Sequence, residues 1–168
     1  MNKIFWKLFI HNEWKLYIAA TEKGLCYIGS PNKPFEEMET WLTKRFPKLA
    51  LVGNDEVVEV YTNQIQAYLD GERSEFTIPV DLKGTAFQLA VWDALTKIPY
   101  GEKKSYSDIA NMIQNPKAVR AVGAAIGANP VLMTIPCHRV VAKNGALTGF
   151  RGGLEMKEKL LALESMDV

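Results

Sequence analysis

Cys137 stands beside side chains that could make its sulfur a nucleophile. It follows a proline directly and is followed by His138 and Arg139, a titratable base and a cation. A free thiol has a pKa of about 8.5, and neighbouring cations lower that pKa, which raises the fraction of reactive thiolate at neutral pH. We therefore predict nucleophilic chemistry at Cys137. The alternative is a small buried core residue, the common fate of a free cysteine.

His138 is the candidate base for this thiol. Adjacent residues of a strand or helix point in different directions, so we expect His138 to reach Cys137 through a water molecule. A histidine base needs an acceptor that fixes its orientation. Glu164 is our candidate, because a carboxylate at the C-terminal end of the predicted last helix is unfavourable beside the helix dipole unless a partner compensates it. A solvated glutamate is the simpler alternative.

Composition excludes several other kinds of protein. The chain has only two cysteines and two histidines, and they form no cluster typical of a metal site. No apolar run approaches the roughly 18 residues of a membrane-spanning helix, and no signal-peptide pattern is present, so we expect a cytoplasmic protein without membrane contact. Cys26, between Leu25 and Tyr27, is predicted to be a buried core residue.

Positive charge is concentrated in one window, although the formal net charge is only +1. Residues 109–154 contain no Asp or Glu. The basic residues of this window are Lys117, Arg120, Arg139, Lys143 and Arg151. Cations gain by displacing counterions from DNA phosphates and carboxylates would repel them, so we interpret the window as a DNA-facing surface. The Ala- and Gly-rich helix predicted over residues 116–126 is thin enough for a groove, the alternative being a solvated helix of high intrinsic propensity.

The remaining patterns predict an α+β fold in two domains. Alternating residues over 4–30 predict a three-stranded antiparallel sheet, helical spacing predicts helices over 35–46 and 55–69, and residues 76–80 are predicted to be extended. We expect residues 1–80 to form this small N-terminal domain. In residues 81–168, helix starts at Thr85, Ser105 and Asn115 and a last helix over 154–163 predict a mostly helical, winged-helix-like domain with a helix-turn-helix.

Residues 136–140, preceded by Asn129 and Pro130, resemble the active-site signature of the O6-alkylguanine-DNA alkyltransferases, or methylated-DNA–protein-cysteine methyltransferases. The resemblance is dense over residues 80–164. It includes Phe87, Trp92, residues 98–101, 105–106, Ala110, 115–123, 145–146, 152–154, Lys157 and 160–161. Over residues 1–80 it is loose, and it implies a ribonuclease-H-like domain there.

The resemblance implies a role for each of the chemical residues. Cys137 would accept the alkyl group, His138 would activate it through a water, and Glu164 would hold the histidine. Asn129 would brace the active-site turn, and Tyr106 would crowd the DNA backbone and donate a proton to the departing guanine.

The DNA contacts and the base pocket are implied in the same way. Arg120 would fill the gap left by the flipped base, with Lys117 beside it and Ala121 and Gly123 allowing close approach to the minor groove. The expected pocket residues are Val140, Phe150, Arg151 and Gly152. Phe150 replaces a frequent tyrosine and Arg151 a frequent small residue, which leaves open the sizes of alkyl group accepted.

The implied activity is DNA repair by single-turnover transfer of a methyl or larger alkyl group from O6-alkylguanine, with O4-alkylthymine as a second candidate substrate. The expected partner is double-stranded DNA that carries the lesion, bound by a monomer, without metal or cofactor because the lesion is the alkyl donor. Two alternatives stay open. A helix-turn-helix regulator would bind DNA and leave lesions intact, whereas a cysteine hydrolase built on the Cys-His pair would turn over an ester or peptide.

Overall fold

A mixed sheet forms the base of the first of two units, residues 1–83 and 84–168. The structure is a computed structural model that describes residues 2–165. Strands β1 (Lys3–His11), β2 (Trp14–Thr21) and β3 (Gly24–Ile28) form the predicted antiparallel meander. A fourth strand, β4 (Ala50–Gly53), pairs in parallel with β1, so the strand order is β3-β2-β1-β4. The predicted three-stranded sheet therefore lacked one strand. Four residues carry too little periodicity to predict a strand, and their pairing depends on a crossover through a helix.

Two helices pack their apolar side chains into the core of this unit. Helix α1 (Phe35–Arg45) and helix α2 (Asp55–Leu69) lie where helical spacing predicts them, and α2 is capped by the Asn54 side chain, which accepts from the Val57 amide. Cys26 is fully buried among core side chains, as expected. Burial, followed by the negative charge of Asp81, raises the pKa of this thiol far above its usual range, so it is held as an inert neutral group.

The second unit is mostly helical, as predicted, with helices α3 (Ala86–Leu95), α4 (Tyr106–Met112), α5 (Val119–Gly127) and α6 (Leu154–Ser165). Capping boxes open both α3, from Thr85, and α4, from Ser105, which confirms the two sequence signatures. The buried Trp92 indole donates a 2.8 Å hydrogen bond to the Ala125 carbonyl, and this bond ties α3 to α5. Strands β5 (Lys104–Ser105) and β6 (Val140–Val141) pair in parallel.

One predicted helix start in this unit was misplaced. Helix α5 begins at Val119 rather than at Pro116, because residues 115–118 form a turn closed by a 3.0 Å bond from the Ala118 amide to the Asn115 carbonyl. In the first unit, residues 76–80, predicted to be extended, lie outside the named strands and pair through an isolated parallel bridge between Leu25 and Val80. Within residues 2–165, no helix is both long and apolar enough to cross a membrane.

Candidate active site

A tight, buried turn between α5 and β6 positions Cys137. The chain leaves α5 at Gly127 and reaches a short 3-10 helix, Cys137–Arg139, through a segment held by its own backbone bonds. The Cys137 amide donates to the Ile135 carbonyl at 2.7 Å, and the Arg139 amide donates to the Pro136 carbonyl at 3.0 Å. The proline before Cys137 fixes its own φ, which restricts the conformations open to this turn. Cys137 is 1% exposed, so the sulfur lies inside the unit.

Asn129 braces the turn and contacts the sulfur. Its Nδ2 donates to the Ile135 carbonyl at 2.8 Å and to Cys137 Sγ at 3.1 Å, while its Oδ1 accepts from the Val131 amide at 3.0 Å. Asn129 is fully buried. A donor aimed at the sulfur stabilises the thiolate over the thiol, because the thiolate is the stronger acceptor.

Glu164 joins His138 and Arg139 in one buried cluster. Its Oε2 lies 2.6 Å from His138 Nε2, which is the contact that the sequence predicted. Arg139 binds the same carboxylate with two hydrogen bonds, Nε to Oε1 at 2.8 Å and Nη2 to Oε2 at 3.0 Å, and donates from Nη1 to the Ile98 carbonyl at 2.6 Å. Arg139 is 7% exposed, so its assignment to the DNA-facing surface was wrong. Its charge compensates a buried carboxylate instead.

Burial dominates the proton affinities of this site. It raises the pKa of the Cys137 thiol above its ordinary value, while the Asn129 hydrogen bond and then the charges of Arg151 and Lys157 lower it. The prediction that His138 and Arg139 make the Cys137 thiol more acidic was wrong: its pKa is raised overall, and the groups that lower it are Asn129, Arg151 and Lys157. Burial likewise lowers the pKa of His138, against the raising effect of Glu164, so the ring is neutral at physiological pH and can accept a proton.

The loop between β6 and α6 carries three of the predicted pocket residues, Phe150, Arg151 and Gly152, and the fourth, Val140, lies in β6. Lys157 of α6 is buried, and its Nζ donates to the Val140 carbonyl at 2.6 Å and to the Thr148 carbonyl at 3.2 Å. The Tyr106 hydroxyl lies 2.5 Å from Thr148 Oγ1, so this tyrosine also lies at the loop. A Cβ at Gly152 would come within 2.6 Å of Phe150 and Met156 side-chain atoms, so a larger residue there would force these side chains to shift. Arg151 donates from Nε to the Asn129 carbonyl at 2.8 Å.

Helix α5 presents one exposed face and one buried face. Arg120 and Ala121 are exposed on α5, and Lys117 is exposed in the turn before the helix, while Val122 and Ala125 are among the residues that pack inward. Gly123 is half-buried, and a Cβ there would lie 3.9 Å from the Tyr106 ring, in ordinary contact. The predicted DNA residues Lys117, Arg120, Ala121 and Gly123 thus lie in α5 and the turn before it, a segment without acids, and Gly123 brings this segment next to Tyr106.

No group of three His, Cys, Asp or Glu side chains within residues 2–165 is arranged to hold a metal ion. Arg139 forms hydrogen bonds to the Glu164 carboxylate and to the Ile98 carbonyl, so these charged groups already have partners within the protein. The arrangement suits proton transfer and nucleophilic attack by sulfur.

Comparison with known protein families covers both units. Residues 4–82 match the model of the 6-O-methylguanine DNA methyltransferase ribonuclease-like domain, and residues 86–166 match the DNA binding domain of the same proteins. The chain belongs to the O6-methylguanine DNA methyltransferase family. The α+β fold and the family resemblance drawn from the sequence are thereby confirmed.

Individual relatives agree with the family assignment. The chain is 60% identical to the inducible methylated-DNA–protein-cysteine methyltransferase of Bacillus subtilis over 161 residues, which are 96% of this chain and 90% of the relative. A crystal structure of Mycobacterium tuberculosis O6-methylguanine methyltransferase superposes with a TM-score of 0.85 at 35% identity, covering 98% of this chain and 94% of that one. A structure of the Mycobacterium tuberculosis protein in complex with DNA superposes with a TM-score of 0.82 at 35% identity, covering 96% and 93% of the two chains.

Two contributors to the site were given no function by the sequence reasoning. Lys157 was noted only as part of the family resemblance, and Thr148 was not singled out. A lysine on the buried face of α6, one turn before Leu160, was the available signal, because a charge on an apolar face needs a buried partner. Thr148 offered no such signal, since its contact with Tyr106 joins positions 42 residues apart.

Proposed function

We propose that the protein repairs DNA by moving the alkyl group of an O6-alkylguanine onto Cys137 Sγ in a single turnover. The observation that carries the proposal is the buried arrangement in which Asn129 donates to the sulfur and Glu164 orients the neighbouring His138. The exposed Arg120 of α5 and Lys117 of the turn before it, in a segment without acids, support double-stranded DNA as the carrier of the lesion. Family membership supports the same reaction.

The reaction follows from these groups and balances without a cofactor. His138, neutral because burial lowers its pKa, accepts the thiol proton through a water while Glu164 holds its Nε2 side. The thiolate attacks the alkyl carbon, a carbon–sulfur bond forms, and the bond between that carbon and guanine O6 breaks with its electron pair passing to the base. Tyr106 donates a proton to the guanine, so that a neutral base leaves instead of an anion, and Tyr106 regains a proton as His138 releases the one taken from the thiol. The thioether product is stable to water, which limits each molecule to one lesion.

Helix α5 and the turn before it contact the DNA, and Val140 and the loop that follows β6 bind the flipped base. Arg120 enters the duplex and occupies the space of the flipped nucleotide, while Lys117 contacts phosphate and Ala121 lets the backbone approach closely. Backbone groups at Val140 and Arg151 bind the base edge. O4-alkylthymine is a second candidate substrate. We place the protein in the cytoplasm as a monomer in the absence of DNA, which fits its two free cysteines.

Transfer of labelled methyl from an O6-methylguanine duplex tests the proposal. We expect one methyl per protein molecule and a mass gain of one methylene on the peptide that contains Cys137. Cys137→Ser should abolish transfer, whereas Cys26→Ala, which removes the other buried thiol of the chain, should retain it. A Cys137 thiol that stays inert towards the lesion would refute the proposal, and binding without transfer would favour a DNA-binding regulator.

A further inference from the structure

Arg151 connects the pocket loop to the residue that contacts the sulfur. Its side chain is half-buried, and Nε donates a 2.8 Å hydrogen bond to the main-chain oxygen of Asn129. The Asn129 side chain in turn donates to Cys137 Sγ at 3.1 Å. Asn129 therefore accepts a hydrogen bond from Arg151 with its backbone carbonyl and donates one to the reacting sulfur with its side-chain amide. Moving the Arg151 side chain would disturb the support of the sulfur.

The position also suits a positive charge. Asn129 follows directly on Ala128, the C-cap of α5, where unsatisfied carbonyls give the helix end a partial negative charge that favours a cation. The Arg151 guanidinium acts on the Cys137 thiol and lowers its pKa, and Lys157 from α6 acts in the same direction. Arg139, close to Cys137 in the chain, pairs with Glu164. His138 is held neutral by burial.

We propose that Arg151 is a positioning residue for alkyl transfer, which fastens the loop of residues 142–153 to the Asn129 turn and keeps a positive charge beside the attacking sulfur. The inference rests on the proposed function and deepens it. Burial removes the water that would otherwise stabilise a thiolate, so a fixed cation has its greatest effect at the moment when the sulfur carries its negative charge. A small neutral side chain at this position could supply neither the bond to Asn129 nor the charge.

The pH dependence of Cys137 reactivity distinguishes this role from simple shaping of the loop. Arg151→Gln and Arg151→Met remove the charge, and Arg151→Lys keeps it. Lys97→Gln removes an exposed cation elsewhere in the same unit, 67% exposed, and serves as the matched control. The rate of transfer from a free O6-substituted guanine is measured across the pH range. This substrate has no phosphate, so a contact between Arg151 and DNA cannot contribute to the rate. Circular dichroism and thermal unfolding confirm that each variant is folded.

We expect the neutral variants to lose about tenfold in transfer rate at pH 7, with the inflection of the pH profile moved to higher pH. Above that inflection the gap to the wild-type rate should narrow, because the thiol is then ionised in every variant, and the gap that remains measures the lost bond to Asn129. Arg151→Lys should retain most of the rate at pH 7, and Lys97→Gln should match the wild type. An unchanged inflection in both neutral variants, or a constant ratio of rates at all pH values, would overturn the proposal.

A second readout separates this proposal from the proposed function. The rate of iodoacetamide alkylation at Cys137, followed on its peptide by mass spectrometry, needs no alkyl transfer from guanine. We expect the same displacement of the inflection to higher pH in both neutral variants. If the wild type transfers no alkyl group from duplex or free base, the proposed function fails, while the iodoacetamide profile still decides the role of Arg151.

Discussion

The buried carboxylate of Glu164 makes the sharpest prediction for stability. Glu164→Gln keeps the size of the side chain and removes its charge, which leaves the Arg139 guanidinium without its ionic partner. The two side chains are 1% and 8% exposed, and two hydrogen bonds of 2.8 and 3.0 Å join them. Breaking a buried pair of this kind from one side costs about 3–5 kcal/mol, because the remaining charge cannot be hydrated.

The same helix supplies a matched control. Glu155 of α6 pairs with Lys159 at 3.2 Å, but these side chains are 77% and 47% exposed. Glu155→Gln should therefore cost less than about 1 kcal/mol, since water already screens and solvates both charges. The two substitutions remove the same charge from the same helix and differ in burial and in the partners they lose.

Urea unfolding of the two variants and the wild type measures both costs. Adding Arg139→Gln to Glu164→Gln should cost less than the sum of the single changes, because the double variant leaves no uncompensated charge in the interior. A loss for Glu164→Gln no larger than for Glu155→Gln would refute the argument. Strict additivity of the double variant would refute it as well.

Three further predictions follow from the site. Because burial lowers the pKa of His138, the folded protein binds fewer protons than the unfolded chain below pH of about 6.5. The free energy of unfolding should therefore fall as pH drops from that value towards the folded pKa. Urea titrations of His138→Gln should show a smaller fall over the same pH range. An equal pH dependence in the variant and the wild type would contradict this prediction. Asn129→Asp replaces the donor to Cys137 Sγ with a carboxylate and should slow transfer from free O6-substituted guanine more than Asn129→Ala, whose loss should be on the order of tenfold; an active Asp variant would show that the donor is dispensable. Arg120→Ala should slow repair in duplex while sparing reaction with the free base, and equal losses on both substrates would remove Arg120 from base flipping.

Local signals in the sequence placed most of the helices. The capping boxes at Thr85 and Ser105 involve contacts three residues apart, so the sequence contains the whole motif. Likewise, the helical spacing of apolar residues predicted the range of α2. The start of α5 was misplaced because Asn115 closes a turn that sequence alone does not distinguish from a cap. The pairing of β4 with β1 was missed because it joins segments separated by α1.

The sequence by itself determined that a cysteine, a histidine and an arginine are consecutive, that a glutamate stands near the C-terminal end of the last helix, and that acids are absent from residues 109–154. Only the tertiary structure decided that Arg139 turns inward to Glu164, 25 residues away, and that burial outweighs every neighbour in setting the pKa of Cys137. The physical reason is that residue types and short spacings are properties of the chain, whereas desolvation is a sum over everything that surrounds a group after folding.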